Sequence, residues 1–451
     1  MRLTKYITLY AMLLMMLPSR ASHAQDNAGR TIYGSLSQFI ETGLKNNYGL
    51  RIVRNEEKMA ENNATLANAG YLPVISANAG YDGSHYSSNA TSRQDGSVTK
   101  SRNTLDHGFS AGINAEWTIF DGFKIQTNHK RLQELKQQSR TQTRIAIEDY
   151  VANLTAEYYN FIQQRIRMRN LRNAVKLSKE RLRIVLERYT IGSASRLDLQ
   201  QAQVDFNADS AQSLKQHEIL ATSRIKLYEM MAVKDMNSRI QVDDTTIALD
   251  QTLEFDTLLS SMLRNNSSIH ISSHNRRMAE LDYKTAMSRD FPYIKLNGGY
   301  NYSHDNYGGG TTRKRDNWGA NFGVTMGITL FDGKRNSQRR NAQINIENTE
   351  LASKQLEQSL RADLADLWQA YKNNLRLLAL ERENLITAQE NHYIAHERYM
   401  LGDLPGIEMR EAQQSLLNAE ERILVAEYNT KLCEISLRQL SGSIMRYTER
   451  L

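Results

Sequence analysis

Phe109-Ser110-Ala111-Gly112-Ile113-Asn114-Ala115-Glu116-Trp117-Thr118-Ile119 alternates without a break. Phe109, Ala111, Ile113, Ala115, Trp117 and Ile119 fall on one face, and Ser110, Gly112, Asn114, Glu116 and Thr118 on the other. A period of two is the mark of a strand. Residues 317–330 repeat it. Trp318, Ala320, Phe322, Val324, Met326, Ile328 and Leu330 oppose Asn317, Gly319, Asn321, Gly323, Thr325, Gly327 and Thr329.

Both runs end alike, in Thr118-Ile119-Phe120-Asp121-Gly122 and Thr329-Leu330-Phe331-Asp332-Gly333. The likeness continues. Leu154, Tyr158 and Phe161 return as Leu364, Trp368 and Tyr371. Arg188-Tyr189-Thr190-Ile191-Gly192 returns as Arg398-Tyr399-Met400-Leu401-Gly402. Three marks in one order at near-constant spacing signify an internal duplication.

A weaker strand precedes each strong one, at about 73–86 and 292–304, each opened by a proline, Pro73 and Pro292. Proline is tolerated at the first residue of a strand. Polar Gly/Ser-rich stretches, about 87–106 and 305–316, join the partners as hairpin loops. The strong strands are placed at about 107–121 and 317–332.

After Gly122 and Gly333 the period turns helical. Ile147, Val151, Leu154, Tyr158 and Phe161 step by four and three, as do Leu364, Trp368, Tyr371, Leu375 and Leu378. That spacing is a coiled-coil seam. The stretch from Phe123 to about 190 has neither proline nor glycine, and would extend roughly 100 Å as a helix. Each long helix ends at a glycine turn, and a returning helix follows. The expected domain plan is therefore a first repeat over 25–231, a connection over 232–255, a second repeat over 256–441 with its long helix to about 400, and a tail over 442–451.

Composition agrees. The 451 residues include only 4 prolines, which favours long helices. Cys433 is the only cysteine, so no intramolecular disulfide forms. The net charge of +7 includes Arg2, Lys5 and Arg20 and has no basic block, which disfavours a nucleic-acid partner. Residues 1–24 read as a cleavable signal peptide: a basic start, an apolar run from Leu9 to Leu17, and Ser22-His23-Ala24 before the cut. No later stretch is apolar enough for a membrane helix, so any membrane part must be strands.

Four amphipathic strands of this length match a bilayer span. One face is apolar; the other carries Gly, Asn, Ser and Thr, as a watery lumen does. A soluble sandwich is the alternative from pattern alone. Four strands cannot close a barrel, and an open edge in lipid is excluded. Two chains would supply eight strands, too few for a channel; three would supply twelve. The expectation is a homotrimer. Trp117, Trp318, Tyr81 and Tyr302 are the expected membrane-interface aromatics.

The arrangement resembles the TolC family of outer-membrane efflux and secretion channels. The carriers are the duplicated helix–hairpin–helix layout, the paired Phe-Asp-Gly ends, and the two turn motifs. The first motif runs Tyr189-Thr190-Ile191-Gly192-Ser193-Ala194-Ser195-Arg196-Leu197-Asp198-Leu199. The resemblance covers essentially the whole mature chain. It implies a mainly α fold with a β-barrel portion: a trimer sharing a twelve-stranded barrel in the outer membrane above a long periplasmic α-helical coiled-coil barrel. It implies a passive channel and not an enzyme, with no cofactor. Partners would be a periplasmic adaptor, an inner-membrane RND, ABC or MFS type transporter, and outer-membrane lipid. The other reading is a trimeric coiled-coil surface protein anchored by a shared barrel.

The resemblance also assigns residues. Glu408 and Glu411, six and nine beyond Gly402, stand where the family places acidic rings at the periplasmic aperture. Three copies would favour cations. The bland reading is two helix-start acids favoured by the helix dipole. Asp198 and Tyr399 match an aperture latch. The position of the latch's Arg is Leu404 here, with Arg410 or Arg398 as substitutes. Gly192, Ser195, Gly402 and Pro405 shape turns that would also meet the adaptor. His270/His274 and His392/His396 have zinc-like spacing but no H-E-x-x-H core, and no metal site is assigned.

Overall fold

The computed structural model describes residues 31–310 and 312–445; the signal-peptide reading lies outside them. The first half runs β1 (Thr31–Gly34), α1 (Leu36–Asn46), α2 (Tyr48–Asn63), α3 (Leu66–Ala69), β2 (Val74–Thr91), β3 (Val98–Asp121), α4 (Lys124–Thr190) and α5 (Arg196–Met230). The second runs β4 (Arg239–Val242), α6 (Phe255–Asn265), α7 (Ser267–Met287), a 3-10 turn (Ser288–Asp290), β5 (Tyr293–Asn306), β6 (Lys314–Gly327), α8 (Gly333–Leu401) and α9 (Gly406–Leu440).

The long helices α4 and α8 carry the architecture. Near the sheet, α2, α4, α7 and α8 lie side by side in that order; towards the far end the order is α5, α4, α9, α8. No described helix is long and apolar enough to cross a membrane.

The seam residues read from the sequence form the cores. Val151, Leu154, Tyr158 and Phe161 join Leu36, Phe39, Leu227 and Val242 in one cluster. Leu364 and Tyr371 join Leu258, Met262 and Leu437 in another, with Trp368 and Leu375 packed on it. Burial of such side chains contributes about 1.5–3 kcal/mol each. Around this girth, β1 and β4 pair in parallel, a small sheet that the sequence reading did not anticipate. Each is only four residues long. Too short to show a period, they fall inside a presumed helix and a presumed connection.

The sheet order is β2-β3-β5-β6, all antiparallel. Opposed residues share a face. Tyr81, Phe109 and His304 are opposite one another, as are Ala111, Tyr302 and Trp318, and Trp117, Leu296 and Val324. The apolar faces of the strands thus merge into one, and so do the polar faces.

Two boundaries differ from expectation. The stretch 87–106 is mostly strand. The β2–β3 ladder continues past a bulge at Tyr86/Ser88, leaving only Ser92–Ser97 as the turn. Ladder hydrogen bonds need no apolar side chain, so composition concealed this. In the other direction, β6 stops at Gly327, opposite Tyr293, and not near 332. Residue 292 is proline, without an N–H to donate, and β5 has no more backbone to offer.

Candidate functional site: a two-faced sheet and a double-turn tip

The polar face of the sheet is an Asn/Gly checkerboard. Asn114 donates to Asn78 at 2.7 Å and Asn301 to Asn321 at 2.9 Å. Opposite Asn301 stands Gly112, and opposite Asn114 stands Gly299. A Cβ at Gly112 would lie 2.0 Å from Asn301 Oδ1, and one at Gly299 2.3 Å from Asn114 Oδ1. The amides lie flat across the neighbouring strand because glycine leaves the room. Lys295 and Glu116 pair at 3.0 Å on this face.

The predicted aromatics fall at two levels. Tyr302 and Trp318 face each other, and Tyr81 stands one same-face step further out, opposite Phe109. Trp117 is at the helix end, where its indole N–H donates to the Tyr71 carbonyl at 2.8 Å. Phe109 to Trp117 spans about 27 Å of strand, or about 20 Å along the axis of a tilted barrel. That approaches the apolar band of about 25 Å in membrane barrels.

At the far end of the helices two turns are built alike. Gly192 and Gly402 have φ of 79° and 89°. Ser193 N–H donates to Arg188 O at 2.8 Å, and Asp403 N–H to Arg398 O at 3.0 Å. The backbone doubles back through a left-handed residue that glycine adopts without strain. Ser195 then caps α5. Its hydroxyl accepts from Asp198 N–H at 3.1 Å, while Asp198 accepts from Ser195 N–H at 3.0 Å. The Ser195 hydroxyl also donates to that carboxylate at 2.7 Å and, as the largest cause, holds it below its usual pKa. Pro405 is the N-cap of α9.

Tyr399 is buried in a small core with Ala395, Leu404, Met409, Ala412 and Ile184. The Arg188 guanidinium sits 4.9 Å from its ring centroid and donates to its carbonyl at 2.9 Å. The Tyr399 hydroxyl has no hydrogen-bond partner among the described residues, and burial raises its pKa. The structure does not bring Tyr399 and Asp198 into hydrogen-bond contact. Leu404, at the latch-Arg position, is buried as a core residue.

A buried ion-pair cluster lies near the tip. Arg410 makes two bonds of 2.7 Å to Asp209, whose side chain is 3% exposed. It also reaches Asp205 at 4.0 Å, and Asp205 holds Arg181 at 2.5 Å. The bond to Asp209 raises the Arg410 pKa, and burial lowers that of Arg181. This cluster ties α9 of the second hairpin to α4 and α5 of the first. Glu408 and Glu411 are exposed one helical turn apart, away from buried Met409 and Ala412.

His392 and His396 stack with ring centroids 6.3 Å apart, and burial lowers the His392 pKa. Cys433 is half-buried, with its thiol pushed up by burial and an Asn374 N–H 3.4 Å from its sulfur. No group of three or more potential metal-ligating side chains occurs among the described residues.

A strand sheet apolar on one face and polar on the other, fused to a long helical rod, defines the class of outer-membrane channel subunits. The outer membrane efflux protein model matches residues 39–233 and 258–443, and the chain belongs to that family. It is 21% identical over 441 residues to outer membrane protein TolC of Vibrio cholerae, covering 95% of each chain. It is 22% identical over 423 residues to a probable efflux pump outer membrane protein, TtgC, of Pseudomonas putida, covering 90% of this chain and 83% of that one. The fold matches the Campylobacter jejuni CmeC outer membrane channel with a TM-score of 0.72 at 17% identity, over 92% and 88% of the two chains. It matches CusC with a TM-score of 0.72 at 18% identity, over 93% and 95%. The protein is an outer-membrane efflux channel component.

Proposed function

We propose that three copies of this chain form a passive exit duct for a tripartite efflux pump or a type I secretion system. The single observation that carries this is the two-faced sheet with open outer edges at β2 and β6. One face suits lipid and the other suits water. Twelve strands from three chains give both faces their solvent and leave no edge. Trp117 then belongs to the inner aromatic belt, and Tyr81, Tyr302 and Trp318 to the outer.

The helical rod reaches the periplasm, where the turns at Gly192, Ser195, Gly402 and Pro405 meet an adaptor that couples the duct to an inner-membrane transporter. Glu408 and Glu411 ring the aperture. The tips are held by Arg410 on Asp209 and by Arg188 on Tyr399; a Tyr399–Asp198 contact would require Asp198 to leave Ser195. No step is catalytic.

The test is the mass of the detergent-extracted protein by light scattering with detergent subtracted, followed by conductance in planar bilayers. Three chains and a cation-selective channel are expected. A monomer overturns the duct. In a working channel, unchanged selectivity after Glu408→Ala with Glu411→Ala overturns the ring.

A further inference from the structure

The helix ends nearest the sheet carry more positive charge than the carboxylates there balance. Three stretches meet at that level, 121–131, 282–291 and 332–340, and they hold nine Lys and Arg against four Asp. An excess of five sits there, most of the net +7 of the whole chain. Each of the four carboxylates is already engaged. Asp121 accepts from Ile125 N–H at 3.0 Å and Asp332 from Lys334 N–H at 3.0 Å, each over its own helix start. Asp282 pairs with Arg131 at 3.1 Å, and Asp290 with Arg335 at 3.0 Å and Arg339 at 3.6 Å. Lys124, Lys130, Lys284, Lys334 and Arg340 are exposed and have no ion pair among the described residues.

These cations adjoin an apolar rim. The apolar side of β3 ends in Phe120, opposite Ile294; Phe120 packs edge to face on Phe123, and Phe123 on Phe291. Phe123 and Phe291 remain 54% and 46% exposed. Lys130 follows Phe123 by seven residues, two turns along the same helix face and about 10 Å away. Lys284 stands one turn before the exposed Met287 in α7. Lys334 holds in the second repeat the position of Phe123 in the first, three residues past the exposed Phe331. α4 and α7 are the middle rods of the layer α2-α4-α7-α8, so a neighbouring copy joined along α2 and α8 leaves Lys130 and Lys284 open. Apolar rings followed within two turns by unpaired Lys and Arg suit a membrane–water boundary.

We infer that this collar binds the anionic headgroups of phospholipids in the leaflet on the helix side of the membrane, a reading that rests on the shared barrel proposed above. With the sheet in the bilayer, the collar lies at headgroup level. The Lys stems run along the apolar rim and set their ammonium groups on lipid phosphate. A phosphatidylglycerol headgroup offers a net negative charge there, whereas phosphatidylcholine carries its own cation. Each Lys or Arg close to the surface adds to the preference for the anionic lipid. The collar also fixes how deep the duct sits, because a shift towards the hydrocarbon would bury unpaired charge.

Native mass spectrometry of the full-chain trimer tests this, with the protein released from micelles holding phosphatidylglycerol and phosphatidylcholine in equal amounts. Phosphatidylglycerol is expected to be retained several-fold over phosphatidylcholine. Lys130→Gln with Lys284→Gln and Lys334→Gln should bring that ratio towards one, whereas Lys130→Arg with Lys284→Arg and Lys334→Arg should keep it. Lys100→Gln with Arg102→Gln and Lys314→Gln, at the far end of the sheet, should also keep it. Equal retention of the two lipids by the parent overturns the collar, as does an equal loss in both Gln variants. Displacement of the retained lipid by inorganic phosphate would make this a site for free anions and overturns the lipid assignment. Those outcomes leave the duct standing; a parent mass of one chain overturns the duct, and the collar with it.

Discussion

Asn47 and Asn266 do the same work in the two repeats: each starts one helix while holding the end of another. Asn47 Oδ1 accepts from Leu50 N–H at 3.1 Å, and its amide donates to Met230 O, at the end of α5, at 2.9 Å. Asn266 Oδ1 accepts from Ser268 and Ile269 N–H, and its amide donates to Leu440 O, at the end of α9, at 2.9 Å. α5 therefore abuts α2, and α9 abuts α7. Helix ends leave unpaired N–H and C=O groups, and one amide serves both sides. Asn266→Ala is expected to cost about 1–2 kcal/mol, lowering the midpoint of a circular-dichroism melt; Asn47→Ala should match it. An unchanged midpoint would show that water satisfies the junction.

The Arg410 cluster is expected to respond asymmetrically. Arg410→Ala leaves Asp209 buried without its bidentate partner, a loss of about 3–5 kcal/mol for a buried pair. Adding Asp209→Asn should recover part of it. Single-channel recording should show longer open times for Arg410→Ala, with the double variant between. Equal behaviour of all three would separate the cluster from tip closure.

Tyr399 distinguishes two kinds of contact. Its ring is packed and stacked by Arg188, but its hydroxyl has no partner. Tyr399→Phe should leave closure and melting nearly unchanged, whereas Tyr399→Ala should cost about 3–5 kcal/mol for the cavity. A Phe variant that opens the channel would mean the hydroxyl binds across copies in the assembly.

The Ser195–Asp198 box carries a pH dependence of known sign. The Asp198 pKa is depressed in the folded chain, so its contribution is present above the unfolded value of about 3.9 and is lost as pH falls through the folded value. Proteolytic protection at the first turn should hold from neutral pH to about 5 and decline below about 4. Asp198→Asn should show the weakened cap already at neutral pH. Protection unaffected by acid would contradict the linkage.

Neighbouring residues of β3 test the two faces. Ile113→Arg points a charge at lipid and should cost about 2–4 kcal/mol per chain near the bilayer centre, abolishing trimer recovery. Asn114→Arg points into the lumen and should leave assembly intact while shifting the channel towards anions. The opposite pattern would invert the sheet.

The duplication, hairpins and helical seams were legible because periods of two and of three to four are direct records of burial. Leu154, Tyr158 and Leu364 announced themselves that way and are fully buried. The tip glycines were legible as turn chemistry. The end of β6 was not, since Ile328 and Leu330 keep the alternation of a strand although β5 offers them no partner. Arg410 was only one of two substitutes for the missing latch Arg, because nothing in a linear pattern says which carboxylate a long side chain will meet across two hairpins. The repeated pairs Asn46-Asn47 and Asn265-Asn266, each just before a helix, were a signal that could have found the junctions.

The handover at Asn47 and Asn266 keeps four rods abreast in every chain, above and below the girth. Three chains would therefore put the same number of rods around the wall at every level short of the closing tips, like a hose of uniform gauge up to its nozzle. Cargo of any shape would meet no shoulder or step in the wall, so whatever sorting the duct performs must be done at its mouths.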